Sequence, residues 1–271
     1  MKLPDFSYEK RYWDKGYVVI GVDEVGRGAF AGPVVAGAAA MRLLNSSNLV
    51  KNARPRRTDK VILSFVGTNL QAHLNGILSL GINDSKKLLP RKREKLASEI
   101  QKYFYVGIGE ASVSEINTLG IVKATERAMR RAIKALIARN SNIQIPNSKQ
   151  AQNSKSLGFG VWDLEFPKQN IFVLEDAFHV KYIPEVGLKN QKGIIYGDSL
   201  SISIAAASIV AKVYRDGLMK SLSNKYTQYG WLRNKGYGTL THRLAIKRFG
   251  ITKWHRIQYI ETWMGKLSYD P

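Results

Sequence analysis

The sequence predicts an α/β fold, a sheet flanked by helices. Short β-branched runs alternate with longer segments of helical spacing. Beyond residue 220 the chain reads as helical and aromatic-rich, without strand patterns. With 271 residues, 44% of them hydrophobic, the chain is long enough to bury a core.

Taken in order, Tyr17 to Gly21 (YVVIG) reads as a buried strand. A glycine-rich turn follows, then PVVAGAAAM as a neighbouring strand. Residues 42–76 read as an inserted flexible loop, basic and turn-rich. Residues 90–104 form a helix with Pro90 in its first turn. Tyr105 to Ala111 is a strand, and residues 113–138 carry an amphipathic helix. Residues 139–157 read as a second polar, basic loop. Asn170 to Leu174 and Gly193 to Tyr196 are further strands, and residues 201–220 an Ala-rich helix.

Charge sets the first functional expectation. Lys and Arg total 42 against 21 Asp and Glu, a net charge of +21. Such a surface attracts polyanions, nucleic acid first among them. The absence of cysteine excludes disulfides and thiolate metal sites. No apolar run is long enough to span a bilayer, and MKLPDFSYEKRYWDKG has no signal-peptide core. A cytoplasmic location is expected.

Acidic residues supply the chemistry. Asp23 and Glu24 follow the first strand and precede Gly26-Arg27-Gly28. A bare acidic pair at a strand end is ordinarily solvated. Here the glycine turn would let both carboxylates reach one site, where a divalent cation would offset their charge. Glu175 and Asp176 end a second strand, and Asp198 precedes the long helix. Strand-end acids converging at one sheet edge build an oxygen-only site for Mg²⁺ or Mn²⁺. Zinc is disfavoured without Cys or an HxxxH pair. Asp216 competes with Asp198. A helix between them would separate the two by roughly 27 Å, so only one can belong to the site. Helical spacing alone does not choose.

At these residues the chain resembles ribonuclease HII. VDEVGRGAFAGPVVAGAA, NDSKKLLPRKREKL, EINTLGIVKATERAM, GDSLSISIAAASIVAKVYRD and NKGYGTLTHRLAIKRFGITKWHR match its motifs in order, from about residue 17 to 259. The resemblance implies a ribonuclease H-like mixed sheet over 17–220 and a C-terminal helical, substrate-binding extension over 221–271. It implies a metal-dependent endonuclease that cuts the RNA strand of RNA–DNA hybrids. It also implies cutting at ribonucleotides embedded in duplex DNA, with 5′-phosphate and 3′-hydroxyl ends. Asp23, Glu24, Asp176 and Asp198 become the ligands of two Mg²⁺ or Mn²⁺ ions. On the same resemblance Gly26, Arg27 and Gly28 would read the ribose 2′-hydroxyl, Lys86 would contact phosphates and Tyr237 would stack at the junction nucleotide.

The sequence departs from the family at Asp176-Ala177, where the family has Asp-Gly; at Asn117, where it has Asp; and at Ala205, where it has Ser. The first departure bears on the choice between Glu175 and Asp176. The alternatives are a non-catalytic basic nucleic-acid-binding protein on the same fold, a ribonuclease HIII-like hybrid nuclease, and a DNA nuclease or integrase of the wider superfamily. The intact Gly-Arg-Gly argues against the last two. A monomer is expected, and a replication clamp is a candidate partner that no residue here argues for. Residues 217–271 interleave Lys and Arg with Tyr226, Tyr229, Trp231, Tyr237, Trp254, Tyr259 and Trp263, which suits a nucleic-acid channel. Most of these aromatics are expected in the core, and His242 and His255 are expected to be hydrogen-bonding structural residues.

Overall fold

The computed structural model describes residues 3–42, 68–140, 171–177, 180, 183 and 186–267. Five strands form one mixed sheet in the order β3-β2-β1-β4-β5. β1 (Val18–Val25) lies at its centre, antiparallel to β2 (Val34–Met41), which pairs antiparallel with β3 (Phe104–Ala111). On the other side β1 runs parallel to β4 (Ile171–Asp176), and β4 parallel to β5 (Gln191–Ile194).

Helices cover both faces, which is why the central strands read as continuous apolar runs. The two faces follow from strand alternation. Ile20, Val22 and Val173 pack with Met129 and Ile133 of α4 (Val113–Asn140). Val19 and Leu174 pack on the opposite face with Ile204 and Ile209 of α5 (Ile202–Lys225), and with Leu96 and Ile100 of α3 (Pro90–Tyr103). α5 lies against the strand backbones: a Cβ at Gly21 would stand 2.2 Å from the Ser203 carbonyl carbon, and one at Gly37 2.3 Å from the Ala207 oxygen.

Several expectations change. The first strand extends through Val25, so Asp23 and Glu24 lie within it rather than after it. The strand at Glu175 and Asp176 likewise includes both acids. Ladder bonds to neighbouring strands hold these polar residues in extended backbone. Within the stretch read as a loop, Thr68–Ser79 is a helix, α2, whose Leu74 and Ile77 are buried in the core. Residues 43–67 of that insertion, and 141–157 of the second, lie outside the described residues. The helix after β3 is interrupted at Gly120 (φ 77°, ψ 161°). α1 (Ser7–Trp13), not anticipated, buries Glu9, whose carboxylate accepts from the Ser201 and Ser203 hydroxyls and the Ser203 N–H, fastening the start of α5.

α5 runs past residue 220 into a third apolar cluster. There Met219 packs with Phe30, Tyr229, Trp231, Ile246 and Ile260. The cluster joins α6 (Trp231–Asn234), α7 (Leu240–Phe249) and α8 (Ile257–Leu267) to the loop after β1. Most of the C-terminal aromatics are therefore packing residues, as expected. Tyr237 is an exception at 37% exposed. His242 and His255 are buried and hydrogen-bonded, also as expected.

Candidate active site

Strand alternation places Asp23 on the face covered by α5, beside Val19 and Gly21. Val22 pairs with Glu175 in the parallel ladder. One residue further on, Asp176 comes beside Asp23 on the same face. Asp198 arrives from the 3₁₀ turn Gly197–Ser199 just before α5. One carboxylate oxygen from each of Asp23, Asp176 and Asp198 lies within 4.8 Å of the others. Supporting bonds fix them. The Gly197 N–H donates to Asp176 Oδ1 at 2.8 Å, and the Glu24 N–H to Asp23 Oδ1 at 2.7 Å. Ser208, itself bonded to Ser85, hydrogen-bonds Asp23.

This arrangement is electrostatically costly. Burial, then Glu24, and then Asp176 and Asp198 push the Asp23 carboxyl well above the usual carboxylate range. Asp198 is also raised, by burial and then by Asp84 and Asp176. The cluster demands a positive charge, and three oxygen donors this close fit a hard divalent cation.

Glu24 stands beside the cluster rather than within the three-oxygen group. Its Oε1 accepts from Arg27 Nη1 at 3.2 Å, while its Oε2 is buried with no hydrogen-bond partner among the described residues. Burial raises its pKa, Arg27 opposes that, and Asp176 adds to it. Glu175 points to the opposite face. It accepts from the Val180 N–H, and burial pushes its carboxyl up to about 8. Asp216 is ion-paired to Lys212 at 2.5 Å and Arg93 at 3.6 Å. The geometry thus groups Asp176 rather than Glu175, and Asp198 rather than Asp216.

Asp84 was overlooked as an acid of the site. It caps the turn Ser85–Lys87 by accepting from the Lys86 N–H and hydrogen-bonds the Asp198 side chain. The DSKK motif is the local signal that marks it. Lys86 is exposed at the mouth of the cluster. Partial burial lowers its pKa, but Asp198, Asp23, Asp84 and Asp176 together outweigh that and raise it.

The Gly-Arg-Gly turn follows β1 directly, and Arg27 reaches back from it to Glu24. Gly26 adopts φ 92°, and a Cβ there would meet Arg215 Nε at 2.1 Å. Arg215 is fully buried and donates to the carbonyls of Pro33, Lys235 and Ala31 at 3.0 Å each. Gly28 is exposed, with nothing within 4 Å of an added Cβ. Tyr237 lies next to the turn: it bridges Ala29, and the Arg215 guanidinium sits 5.6 Å from its ring centroid. Arg215 and its buried companion Arg256 were missed, because arginine is ordinarily an exposed residue.

Known proteins match most of the chain. A family model described as Ribonuclease HII matches residues 65–159 and 174–263. A Ribonuclease HII of Wolbachia pipientis subsp. Culex pipiens is 40% identical over 256 residues, 94% of this chain and 95% of that protein. The chain belongs to the ribonuclease HII family. A Ribonuclease HII of Thermosynechococcus vestitus is 36% identical over 257 residues, 94% of this chain and 90% of its own. Membership makes the protein a metal-dependent ribonuclease H.

Solved structures agree on the fold. Ribonuclease HII from an Archaeoglobus fulgidus complex with PCNA superposes with a TM-score of 0.55 at 21% identity, covering 89% of this chain and 93% of that one. A Bst ribonuclease HIII in complex with Mn²⁺ gives 0.57 at 17% identity, covering 92% and 70%. At such identities the superposition establishes fold alone. The placement in the HII family rests on sequence.

Proposed function

We propose that the protein hydrolyses the RNA strand of RNA–DNA hybrids and cuts duplex DNA at single embedded ribonucleotides. The observation that carries this reading is the meeting of Asp23, Asp176 and Asp198 within 4.8 Å, beside a turn whose Gly28 is open to substrate. Asp23, Asp176 and Asp198, with the unpartnered Oε2 of Glu24, suit two Mg²⁺ or Mn²⁺ ions. Such ions supply a water nucleophile at neutral pH and stabilise the leaving 3′-oxygen.

The chain's own residues do the rest. Lys86, exposed at the mouth of the acidic cluster, meets a backbone phosphate there. The Gly26–Gly28 backbone approaches one ribose closely and reads its 2′-hydroxyl, the group that separates RNA from DNA. Tyr237, exposed beside the turn, stacks on the adjoining deoxynucleotide. The basic face of residues 217–267 extends the grip on the duplex.

A substrate panel tests this reading. It comprises an all-RNA hybrid, a duplex with one ribonucleotide, and the same duplex without it, each with Mg²⁺, Mn²⁺ or chelator. Cleavage of the first two alone, on the 5′ side of the single ribonucleotide and only with metal, is expected. An enzyme that cuts hybrids but spares the single ribonucleotide would refute the embedded-ribonucleotide activity.

A further inference from the structure

The open tip of the Gly-Arg-Gly turn is held from the far end of the chain. The Arg27 carbonyl accepts from Arg256 Nη1 at 2.8 Å and from the Tyr259 hydroxyl at 2.6 Å. Two donors on one carbonyl use both of its lone pairs and fix the oxygen's direction. That oxygen shares a peptide unit with the Gly28 N–H. The unit is planar and trans, so its C=O and N–H point in opposite directions. Drawing the Arg27 oxygen toward Arg256 and Tyr259 therefore turns the Gly28 N–H away from them. That N–H meets no acceptor among the described residues, and Gly28 is exposed.

The two side chains differ in what else they hold. Arg256 is fully buried; its Nε donates to the Gly32 carbonyl at 3.0 Å and its backbone N–H to the Phe30 carbonyl at 2.8 Å. It secures the whole loop. Among the described residues the Tyr259 hydroxyl holds the tip through its bond to the Arg27 carbonyl, and it also hydrogen-bonds the Arg256 side chain that reaches the same oxygen. Its ring is fixed separately, edge-on to Phe30 at 6.3 Å and 5.5 Å from the Arg256 guanidinium. A rigid ring thus holds one hydroxyl on the exposed peptide.

We infer that Arg256 and Tyr259 are positioning residues that aim the Gly28 N–H at the substrate's 2′-hydroxyl, so that ribose selection depends on α8 and the residue before it. This rests on the reading of the turn as the ribose sensor. A donor held in place costs no reorganisation when the ribose arrives, whereas a peptide free to flip spends part of its binding energy on ordering.

Tyr259→Phe removes the hydroxyl and keeps the ring. Binding is measured with Ca²⁺, which is used to hold the complex uncut, on two duplexes differing only in the 2′-hydroxyl of one nucleotide. The ratio of their affinities is the readout. Wild type prefers the ribonucleotide. In Tyr259→Phe that preference shrinks about fivefold, the size of one neutral hydrogen bond, while affinity for the all-deoxy duplex and the melting temperature stay at wild-type values. Tyr229→Phe, which loses a 2.9 Å bond from a buried tyrosine to the Gly250 carbonyl, keeps the wild-type ratio. If Tyr259→Phe melts early, the ratio is read on Arg256→Lys, which keeps the charge but loses the fork, and the same shrinkage is expected.

An unchanged ratio in a folded variant, or an equal loss on both duplexes, overturns the inference and leaves the ribose-sensor reading standing. A wild-type ratio of one removes that reading, and the inference with it.

Discussion

Two sets of buried charges flank the turn at Gly26, and they are treated in opposite ways. On one side Asp23 and Asp198 are almost fully buried and converge with Asp176. Each raises the cost of ionising its neighbours, and the nearby Lys86 only partly relieves this. On the other side Arg215 and Arg256 are fully buried. Their guanidinium groups donate to five backbone carbonyls, those of Pro33, Lys235, Ala31, Gly32 and Arg27. The arginines are largely satisfied within the protein, whereas the acids, despite hydrogen bonds from Gly197, Glu24 and Ser208, keep an excess of like charge. Buried charge that the fold leaves uncompensated marks the chemistry, while buried charge that it compensates holds the shape of the site.

That contrast can be broken at several points. Asp23→Asn removes a charge the fold does not want, so turnover should fall about 10³-fold or more while the melting temperature holds or rises. A variant that melts early would place Asp23 among the structural charges. Asp198→Asn should likewise cost at least about 100-fold in kcat/KM, and Asp216→Asn less than about tenfold, because Asp216 already has Lys212 and Arg93 as partners. The reverse order in two folded proteins would reassign the ligand.

Arg215→Met should do the opposite of Asp23→Asn. It strands three buried carbonyls and should lower stability by about 3 kcal/mol in denaturant titrations. Little change in stability would mean that these bonds are not what holds the turn. Tyr237→Ala is a smaller change at a half-exposed ring. It should reduce cleavage at single ribonucleotides more than cleavage of all-RNA hybrids, with little change in melting. A lower melting temperature with an unchanged substrate ratio would return Tyr237 to the core.

The smallest effect concerns pH. Thr252 N–H donates to His255 Nδ1, and His255 Nε2 faces His242 Nε2 at 3.3 Å. His242 Nδ1 meets the Tyr237 carbonyl. These partners keep both rings neutral. Burial, reinforced by His242, depresses the His255 pKa to about 4, and burial lowers that of His242. The unfolded chain then binds more protons below about pH 6.5. Stability from this pair is fully present above that pH and is lost as pH falls toward 4. Melting curves from pH 7 to 4 should show the loss, and His255→Asn should flatten it. An equal slope in the variant would assign the loss to other groups.

The sheet and its flanking helices were legible because their apolar periods are strong. The extent of β1 and β4 was not, since Asp23, Glu24, Glu175 and Asp176 look like strand terminators to a reading based on hydrophobicity. The choice between Glu175 and Asp176 depended on which face of β4 meets α5, and alternation alone gives two faces without saying which is which. Nothing local marks Arg215 or Arg256, and the motif that carries Asp84 does not say which acid it meets. Asp84 meets Asp198 from 114 residues away in sequence, and Arg256 reaches Arg27 across 229.

The central claim is that uncompensated acids and an open, pre-aimed turn together cut at a single ribose. The direct measurement is product analysis of a DNA duplex carrying one ribonucleotide, incubated with wild type and Asp23→Asn across a titration of Mg²⁺ and of Mn²⁺. The account predicts one metal-dependent cut on the 5′ side of the ribonucleotide, leaving 3′-hydroxyl and 5′-phosphate ends, and none from Asp23→Asn. Cleavage that persists in Asp23→Asn, or an intact duplex with wild type at every metal concentration, would contradict it.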